Sequence, residues 1–370
     1  MRYRTVVAGL GARGKVHIKG VLENPDRYEI VGLYDPDAAA VKKVREMFGL
    51  VCAFDSAEEM MERAKPQVLA FATHPEHRDD YIELGVKYKV AGISFEKPMA
   101  VSLAQANRIA ALCVNNNVKA VVSHQQKYLK QMQALRSLVA SGRLGKTVLI
   151  RISTAAWASQ LGTHFIDYAL WANGGVNADW VVGHVNGREK LTDNHPSPDF
   201  LFGEARLRNG VALMMEIGYL KQLTMPNDAF WVDNRLTVFG ERGYAWAETD
   251  GKLCVFSPET GSEPVVTEYP IWNVQHHEIQ TPYYTAFADW LDDDAKVHPC
   301  NVEISRHGYE IMEGAFYSAL YNRRVDLPIP DGDIDMIAEM AAGKLPEQEY
   351  SPDMLRQAFF ASRSGSHKTE

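Results

Sequence analysis

An apolar strand that runs directly into glycines at fixed spacing leaves a chain few folds to choose from. Residues 6–14 read Val6-Val7-Ala8-Gly9-Leu10-Gly11-Ala12-Arg13-Gly14, a G-x-G-x-x-G turn almost at the first residue. A second apolar run, Ile30-Val31-Gly32-Leu33-Tyr34, closes on Asp35, 21 positions after Gly14. Strand, glycine turn and a following helical pattern (Val16, Ile18, Val21, Leu22) together specify a site for a dinucleotide. Gly9 permits the tight turn, Gly11 lets the backbone approach a pyrophosphate, and Gly14 allows strand and helix to touch. The amides at the start of that helix, around Ala12 and Arg13, would meet the phosphates. Asp35 is placed to accept hydrogen bonds from the adenosine ribose, and its charge would repel a 2′-phosphate. NAD is therefore expected in preference to NADP.

Composition removes other classes. The 370 residues carry a net charge of −8, and 46% are hydrophobic. That length suits two domains and a sizeable core. The acidic balance offers no field for nucleic acid or an anionic membrane. No apolar run reaches the ~18 residues of a membrane span, and the first strand starts too early to leave room for a leader. Cys52, Cys113, Cys254 and Cys300 are scattered, which fits reduced thiols in a cytoplasmic protein and argues against a zinc site.

The pattern along the chain divides it. Up to residue 122, candidate strands Thr5–Leu10, Ile30–Tyr34, Val68–Ala72, Gly92–Phe95 and Lys119–Ser123 alternate with helical segments, including Ala38–Phe48, Ala57–Ala64, Asp79–Lys87 and Leu103–Asn115. Such alternation predicts a parallel, doubly wound sheet with ligands at the strands' C-terminal ends. Beyond Gly145 the runs Thr147–Ala156, Trp180–Gly187, Phe202–Arg208, Val211–Leu220, Asn234–Gly240 and Tyr244–Glu248 are joined by turn pairs such as Asn209-Gly210 and Asp250-Gly251. Those pairs predict hairpins and a mainly antiparallel sheet. Helices are expected at Gln131–Ser141, Thr163–Ala172, Pro282–Leu291 and Asn301–Asn322. The predicted fold is α/β: a Rossmann domain over 1–122, an α+β domain with a large open sheet over 123–342, and a peripheral tail over 343–370 with a short helix at Asp353–Ala361.

Three polar clusters stand where the fold would place chemistry. Ser94-Phe95-Glu96-Lys97-Pro98 ends the fourth strand. It reads either as a surface ion pair before a proline turn, or as a cofactor-contacting pair, with the Lys97 ammonium set beside the nicotinamide and the reacting carbon and its pKa lowered by burial and a cationic cofactor ring. Thr73-His74-Pro75-Glu76-His77 ends the third strand and reads equally as turn chemistry or as contacts to the cofactor's ribose or phosphate. Gly162-Thr163-His164-Phe165-Ile166-Asp167 opens a helix, where His164 is either a cap or core residue or a proton shuttle with Asp167 one turn away.

Taken together, GLGARG at 9–14, THPEH at 73–77, EKP at 96–98 and GTHFID at 162–167 resemble the glucose–fructose oxidoreductase/inositol dehydrogenase (Gfo/Idh/MocA) family. So does the stretch from Ser305 to Pro328. The resemblance implies a Rossmann domain followed by an α/β domain whose open sheet makes a homodimer or homotetramer. It implies Lys97 as the catalytic lysine, with Glu96 beside it, and His164 as proton donor or acceptor. Thr73, His74 and His77 stand where the family's turn contacts the cofactor. Two positions depart from the pattern. Gln160 replaces a frequent aspartate four residues before the histidine and cannot accept a proton. Lys127, in Gln125-Gln126-Lys127-Tyr128, stands where many members carry arginine and lacks its planar fork.

The substrate class this implies is a sugar, sugar derivative, glycoside or polyol oxidised or reduced at a secondary hydroxyl. Trp157, Trp231, Trp272, Tyr283 and Tyr284 are candidate surfaces for a ring, and Lys127, Gln160, His276 and His277 candidate hydroxyl partners. The adjacent His276-His277 pair lacks the i, i+4 spacing of a helical zinc site, so no metal is expected. Two other readings compete with a dehydrogenase. One is a glycoside-cleaving enzyme working by transient oxidation and elimination, with no net redox change. The other is a cofactor-binding regulator, against which the intact Lys97 and His164 argue.

Overall fold

The computed structural model describes residues 2–188, 196–218, 221, 224, 230–330 and 333–346. The chain opens with strand β1 (Tyr3–Ala8) and helix α1 (Ala12–Leu22), then β2 (Tyr28–Tyr34), α2 (Ala38–Phe48), α3 (Ala57–Ala64) and β3 (Val68–Phe71). Helix α4 (Arg78–Lys87), β4 (Gly92–Phe95), α5 (Leu103–Asn115) and β5 (Lys119–Val122) complete the first sheet. Its order is β2-β1-β3-β4-β5, all parallel. β3 and β4 are buried at every position, as strands covered on both faces must be. The direction of winding reverses between β1 and β3, so the crevice beyond their C-terminal ends is the place for a ligand. The Gly9–Gly14 turn follows β1 and Thr73 follows β3, both at that crevice. Side-chain caps start the helices where the sequence offers them: Asp37 accepts from Ala39 N–H at α2, and Ser102 from Gln105 N–H at α5.

The second sheet follows helix α6 (Lys130–Ala140). It contains β6 (Thr147–Thr154), then helix α7 (Thr163–Ala172), β7 (Ala178–Asn186), β8 (Phe200–Leu207), β9 (Ala212–Gly218), β10 (Asn234–Gly240), β11 (Gly243–Glu248), β12 (Lys252–Phe256) and β13 (Val265–Glu268). Helices α8 (Trp272–Gln275), α9 (Gln280–Asp292) and α10 (Val302–Tyr321), strand β14 (Val325–Asp326) and α11 (Met336–Ala341) end the described chain. Nine strands run in the order β13-β12-β11-β10-β6-β9-β8-β7-β14, antiparallel except for the β6–β9 pair. Ile150, Ile152, Leu213, Met215, Leu236 and Val238 are buried on one face, alternating with less buried residues on the other. Short β12, β13 and β14 were not among the strands singled out from periodicity.

The domain boundaries differ from the expected ones. Contacts divide the chain into Met1–Tyr128 with Asn273–Arg306, and Leu129–Trp272 with His307 onward. Thus 273–306 leaves the second domain expected over 123–342 and joins the nucleotide-binding unit. The reason is packing: Tyr283, Tyr284, Phe287 and Ala288 of α9 are buried in one cluster with Val21, Tyr28, Val68 and Val121. Tyr283 and Tyr284 are therefore core residues of the first unit, fully buried, and not surfaces for a sugar ring.

The outer sheet face carries a mixture of charged, polar and aromatic residues. Arg151, Ser153, Glu216, Arg235, Thr237, Phe239, Tyr244 and Trp246 line a hollow of about 350 Å³ with Lys221 and Thr224. Arg235 lies 4.3 Å over the Trp246 ring, and Arg151 meets Glu216 at 3.2 Å. Most of the expected tail, including the helix at Asp353–Ala361, lies outside the described residues. Its first residues pack: Leu345 is buried, and Pro346 O accepts from Gly187 N–H.

Candidate active site

The three glycines of the turn differ in what they require. Gly9 has φ +78°, and a Cβ there would stand 2.5 Å from Ala72 O. A Cβ on Gly14 would stand 1.9 Å from Gly9 O, so only glycine lets α1 start against the turn. A Cβ on Gly11 would meet nothing within 4 Å, so its small size leaves open space. Gly11 is also the N-cap of α1 and brings no side chain to the helix's first amides. Asp35 clamps this turn from β2: one carboxylate oxygen accepts from Leu10 N–H at 2.6 Å, the other from Asp37 N–H at 2.8 Å. Sequence reasoning assigned Asp35 only to the ribose and missed this bracing role.

A dinucleotide fits these residues. Thr73 Oγ1, at the end of β3, is buried without a hydrogen-bond partner, and a buried hydroxyl of that kind asks for one. Gly11 gives room, the α1 amides give donors, and Asp35 keeps acceptor capacity beyond its two backbone bonds. At the head of α1, Ala12 is exposed and Arg13 half-buried. His74 and His77 are exposed around the turn Pro75–His77, with His77 3.6 Å from Asp80.

Glu96 and Lys97 follow β4. Glu96 is 4% exposed, with Oε1 2.8 Å from Arg13 and 3.1 Å from His17 Nε2. Burial pushes its pKa up, but Arg13 and His17 outweigh burial and hold the carboxyl well below the usual range. A buried carboxylate stripped of its partner typically costs about 3–5 kcal/mol, so the pairing is obligatory. Lys97 is half-buried. Burial draws its pKa down to about 8, with Glu96 opposing that fall and Arg13 and Arg78 adding to it. The surface ion pair considered from sequence is thus excluded for Glu96.

Arg78, the first residue of α4, holds the Lys97–Pro98 turn. It is 1% exposed and donates to Pro98 O at 2.9 Å and Lys97 O at 3.3 Å. Flanked by His77 and Asp79, it carries no sequence mark of burial. His17 does carry one, since it shares a helical stripe with Gly14, Ile18 and Val21.

The sheet unit holds His164 on the first turn of α7. The residue is 2% exposed, and its Nδ1 lies 2.9 Å from Tyr168 Oη. Their i, i+4 spacing was legible; the expected partner had been Asp167, which is fully buried. A π turn, Ala158–Gly162, feeds this helix, and Thr163 Oγ1 donates to Ser159 O. Gln160 on that turn is half-buried. Trp157 is only 9% exposed, packed beside Ala156 and Leu161, so it offers little ring surface.

The other sequence candidates are divided between the two units. Lys127 is fully buried in the nucleotide-binding unit and donates to Pro299 O at 2.5 Å, which turns it to the main chain. His276 and His277 belong to that same unit, with ring centroids 3.6 Å apart. The carbonyl of His277 accepts from Lys19 of α1 at 2.9 Å. Trp231 is half exposed and Trp272 half-buried, both in the sheet unit. Among the described residues, no group of three or more His, Cys, Asp or Glu could hold a metal, and no helix is long and apolar enough to cross a membrane.

Comparison with known proteins bears on the family of the first unit and on the fold. The oxidoreductase family with an NAD-binding Rossmann fold, GFO_IDH_MocA, matches residues 3–124. A D-apiose dehydrogenase of Paraburkholderia graminis is 27% identical over 153 residues, 41% of this chain and 40% of that enzyme's length. The crystal structure of an inositol dehydrogenase homolog from Azotobacter vinelandii, complexed with NADH and myo-inositol, has a TM-score of 0.72 at 15% identity, covering 88% of this chain and 98% of that one. The transcriptional regulator Gal80p of Kluyveromyces lactis has the same TM-score, 0.72, at 17% identity, covering 88% and 94%. These two likenesses establish the fold alone, which serves an inositol dehydrogenase homolog and a regulator alike.

Proposed function

This chain belongs, through its nucleotide-binding domain, to the Gfo/Idh/MocA oxidoreductase family, and on that footing we propose that it is an NAD-dependent dehydrogenase or reductase. Its substrate is a sugar, sugar derivative or cyclitol, and the reacting group a secondary hydroxyl. The observation that carries this reading is Lys97: an ammonium drawn to about 8, behind a carboxylate held ionised, on the turn after β4. A perturbed amine next in sequence to a buried carboxylate is an arrangement that proton-handling sites favour.

The turn around Gly9–Gly14, Thr73 and Asp35 would hold the dinucleotide, with His74 and His77 nearby on the third-strand turn. When bound, the nicotinamide supplies the acceptor or donor of a hydride. Lys97 then holds or moves the proton at the substrate oxygen that loses or regains its carbonyl character. His164, oriented by Tyr168 through Nδ1, is the second proton-handling group. Gln160 orients substrate by hydrogen bonding and takes no proton. In this reading Asp35 selects NAD over NADP, because a 2′-phosphate would meet its charge.

The enzyme is also read as a cytoplasmic homodimer or homotetramer assembled through 147–260. All four cysteines are free thiols. The outer sheet face carries arginines and aromatics around its hollow, the side chains that favour contact cores. A monomeric mass by light scattering at micromolar concentration removes the assembly.

The test of function is a screen of sugars, glycosides and inositols with NAD, following both reduced-cofactor absorbance and product release. Steady NADH production with one sugar class supports the dehydrogenase. Product release without net NADH turns the reading to the glycoside-cleaving alternative. Neither signal from any class, with NAD bound, leaves the regulator.

A further inference from the structure

The segment that returns to the nucleotide-binding unit brings a buried phenol to the chain of groups behind Lys97. Tyr284 of α9 is fully buried, its hydroxyl 2.7 Å from His17 Nδ1 and 3.5 Å from Ser94 Oγ. His17, also fully buried, presents Nε2 to Glu96 Oε1, the oxygen that Arg13 reaches as well. An ionised carboxylate only accepts, so Nε2 carries the hydrogen. Nδ1, on the other side of the ring, faces the Tyr284 hydroxyl. The imidazole thus bridges phenol and carboxylate. Their closeness depends on Gly20: a Cβ there would stand 2.7 Å from Gln280 Cγ and 2.8 Å from Tyr284 Cδ2. Glycine at this point of α1 lets α9 lie against it.

We propose that Tyr284 and His17 are positioning residues for Lys97: they fix the Glu96 carboxylate at the root of the turn that carries the ammonium, Tyr284 acting from a segment remote in sequence. This rests on the reading of Lys97 as a proton-handling group. Burial and the guanidinium groups of Arg13 on α1 and Arg78 on α4 favour the neutral amine, and Glu96 favours the ammonium. Removing the phenol leaves Nδ1 buried without its partner and takes away one of the two bonds that fix the ring against Glu96. A Glu96 held less firmly opposes the other three less, so the pKa of Lys97 falls.

The measurement is competitive acetylation of Lys97 across pH, read by mass spectrometry on the full chain without substrate or cofactor. Glu96→Gln should lower the Lys97 pKa by roughly one unit or more, the usual effect of one nearby opposite charge. Tyr284→Phe and His17→Leu should lower it by about half a unit, a fraction of that effect. His17→Gln, which keeps a side-chain N–H for Glu96, should stay closer to wild type than His17→Leu. A role in packing alone would reduce Tm in Tyr284→Phe and leave the Lys97 pKa where it was. An unshifted pKa in both Tyr284→Phe and His17→Leu, in protein that melts cooperatively, overturns the proposal. Turnover of Lys97→Ala tests the catalytic reading separately, because the labelling needs no reaction.

Discussion

The two units hold their candidate residues by different means. In the nucleotide-binding unit, Glu96 meets Arg13 and His17 across 83 and 79 positions of sequence, and His17 meets Tyr284 across 267. In the sheet unit, His164 meets Tyr168 across 4. A contact between distant segments forms only when the whole unit folds, whereas a contact within one helix comes with the helix. Changes behind Lys97 should therefore cost stability and function together. The His164–Tyr168 contact needs only its own helix to form.

The largest effect tests both ends of that contrast. General acid–base participation is worth ~10²–10⁴ in rate, so Lys97→Ala and His164→Ala should each lower kcat by at least about a hundredfold. NAD affinity, followed by fluorescence, should change little. Near-normal turnover of Lys97→Ala would make that lysine structural and dissolve the comparison at its centre.

Next comes the glycine turn, where two neighbours should behave oppositely. Gly14→Ala forces a Cβ to 1.9 Å from Gly9 O, and overpacking of this kind costs typically about 1–3 kcal/mol or more. Its Tm should fall. Gly11→Ala meets nothing within 4 Å in the protein itself, so its Tm should hold while NAD affinity drops. Equal melting shifts for the two would refute the division of labour among these glycines.

The pH profile follows. With Lys97 near 8, the neutral amine gains population as pH rises. If the amine accepts the proton in the oxidative direction, kcat should rise about tenfold per unit below 8 and level off above it. The reductive direction, needing the ammonium, should fall above 8. Profiles flat through that range in both directions would take Lys97 out of the chemistry.

The fold was legible where local pattern and global architecture agree. The parallel sheet, its glycine turn and the antiparallel hairpins could be read because strand runs, helical stripes and turn pairs each repeat a short period. The return of 273–306 could not, since Tyr283, Tyr284 and Phe287 make an apolar helical stripe that would suit any core. The site divides in the same way. Lys97, Glu96 and Asp35 were marked by charge at a strand's end. Arg78 looked like a surface arginine among histidines and aspartates, and Lys127 like a charge for substrate until burial turned it to Pro299 O. Sequence spacing reports which face a residue takes on its own element, not which distant element lies opposite.

Asp35 carries a double duty that sharpens the cofactor prediction. Asp35→Ser removes the charge that would repel a 2′-phosphate and also the acceptor that braces Leu10 N–H. The ratio of NADP to NAD efficiency should rise by about tenfold, the equivalent of ~1.4 kcal/mol, and Tm should fall slightly as well. Equal use of both cofactors by the wild type would contradict the assignment at the outset.

The smallest expected effect concerns Gln160, on the π turn before His164. A carboxamide hydrogen-bonds a hydroxyl but carries no proton to exchange, so it binds ground state and transition state alike. Gln160→Ala should then raise KM several-fold, the value of one neutral hydrogen bond at about 0.5–1.5 kcal/mol, and leave kcat close to wild type. Gln160→Asp is the informative partner, because it restores the carboxylate that the family often places four residues before the histidine. If Gln160→Ala instead lowers kcat as far as His164→Ala does, the two act as one catalytic unit. The local His164–Tyr168 contact would then be one part of a larger unit that includes the π turn.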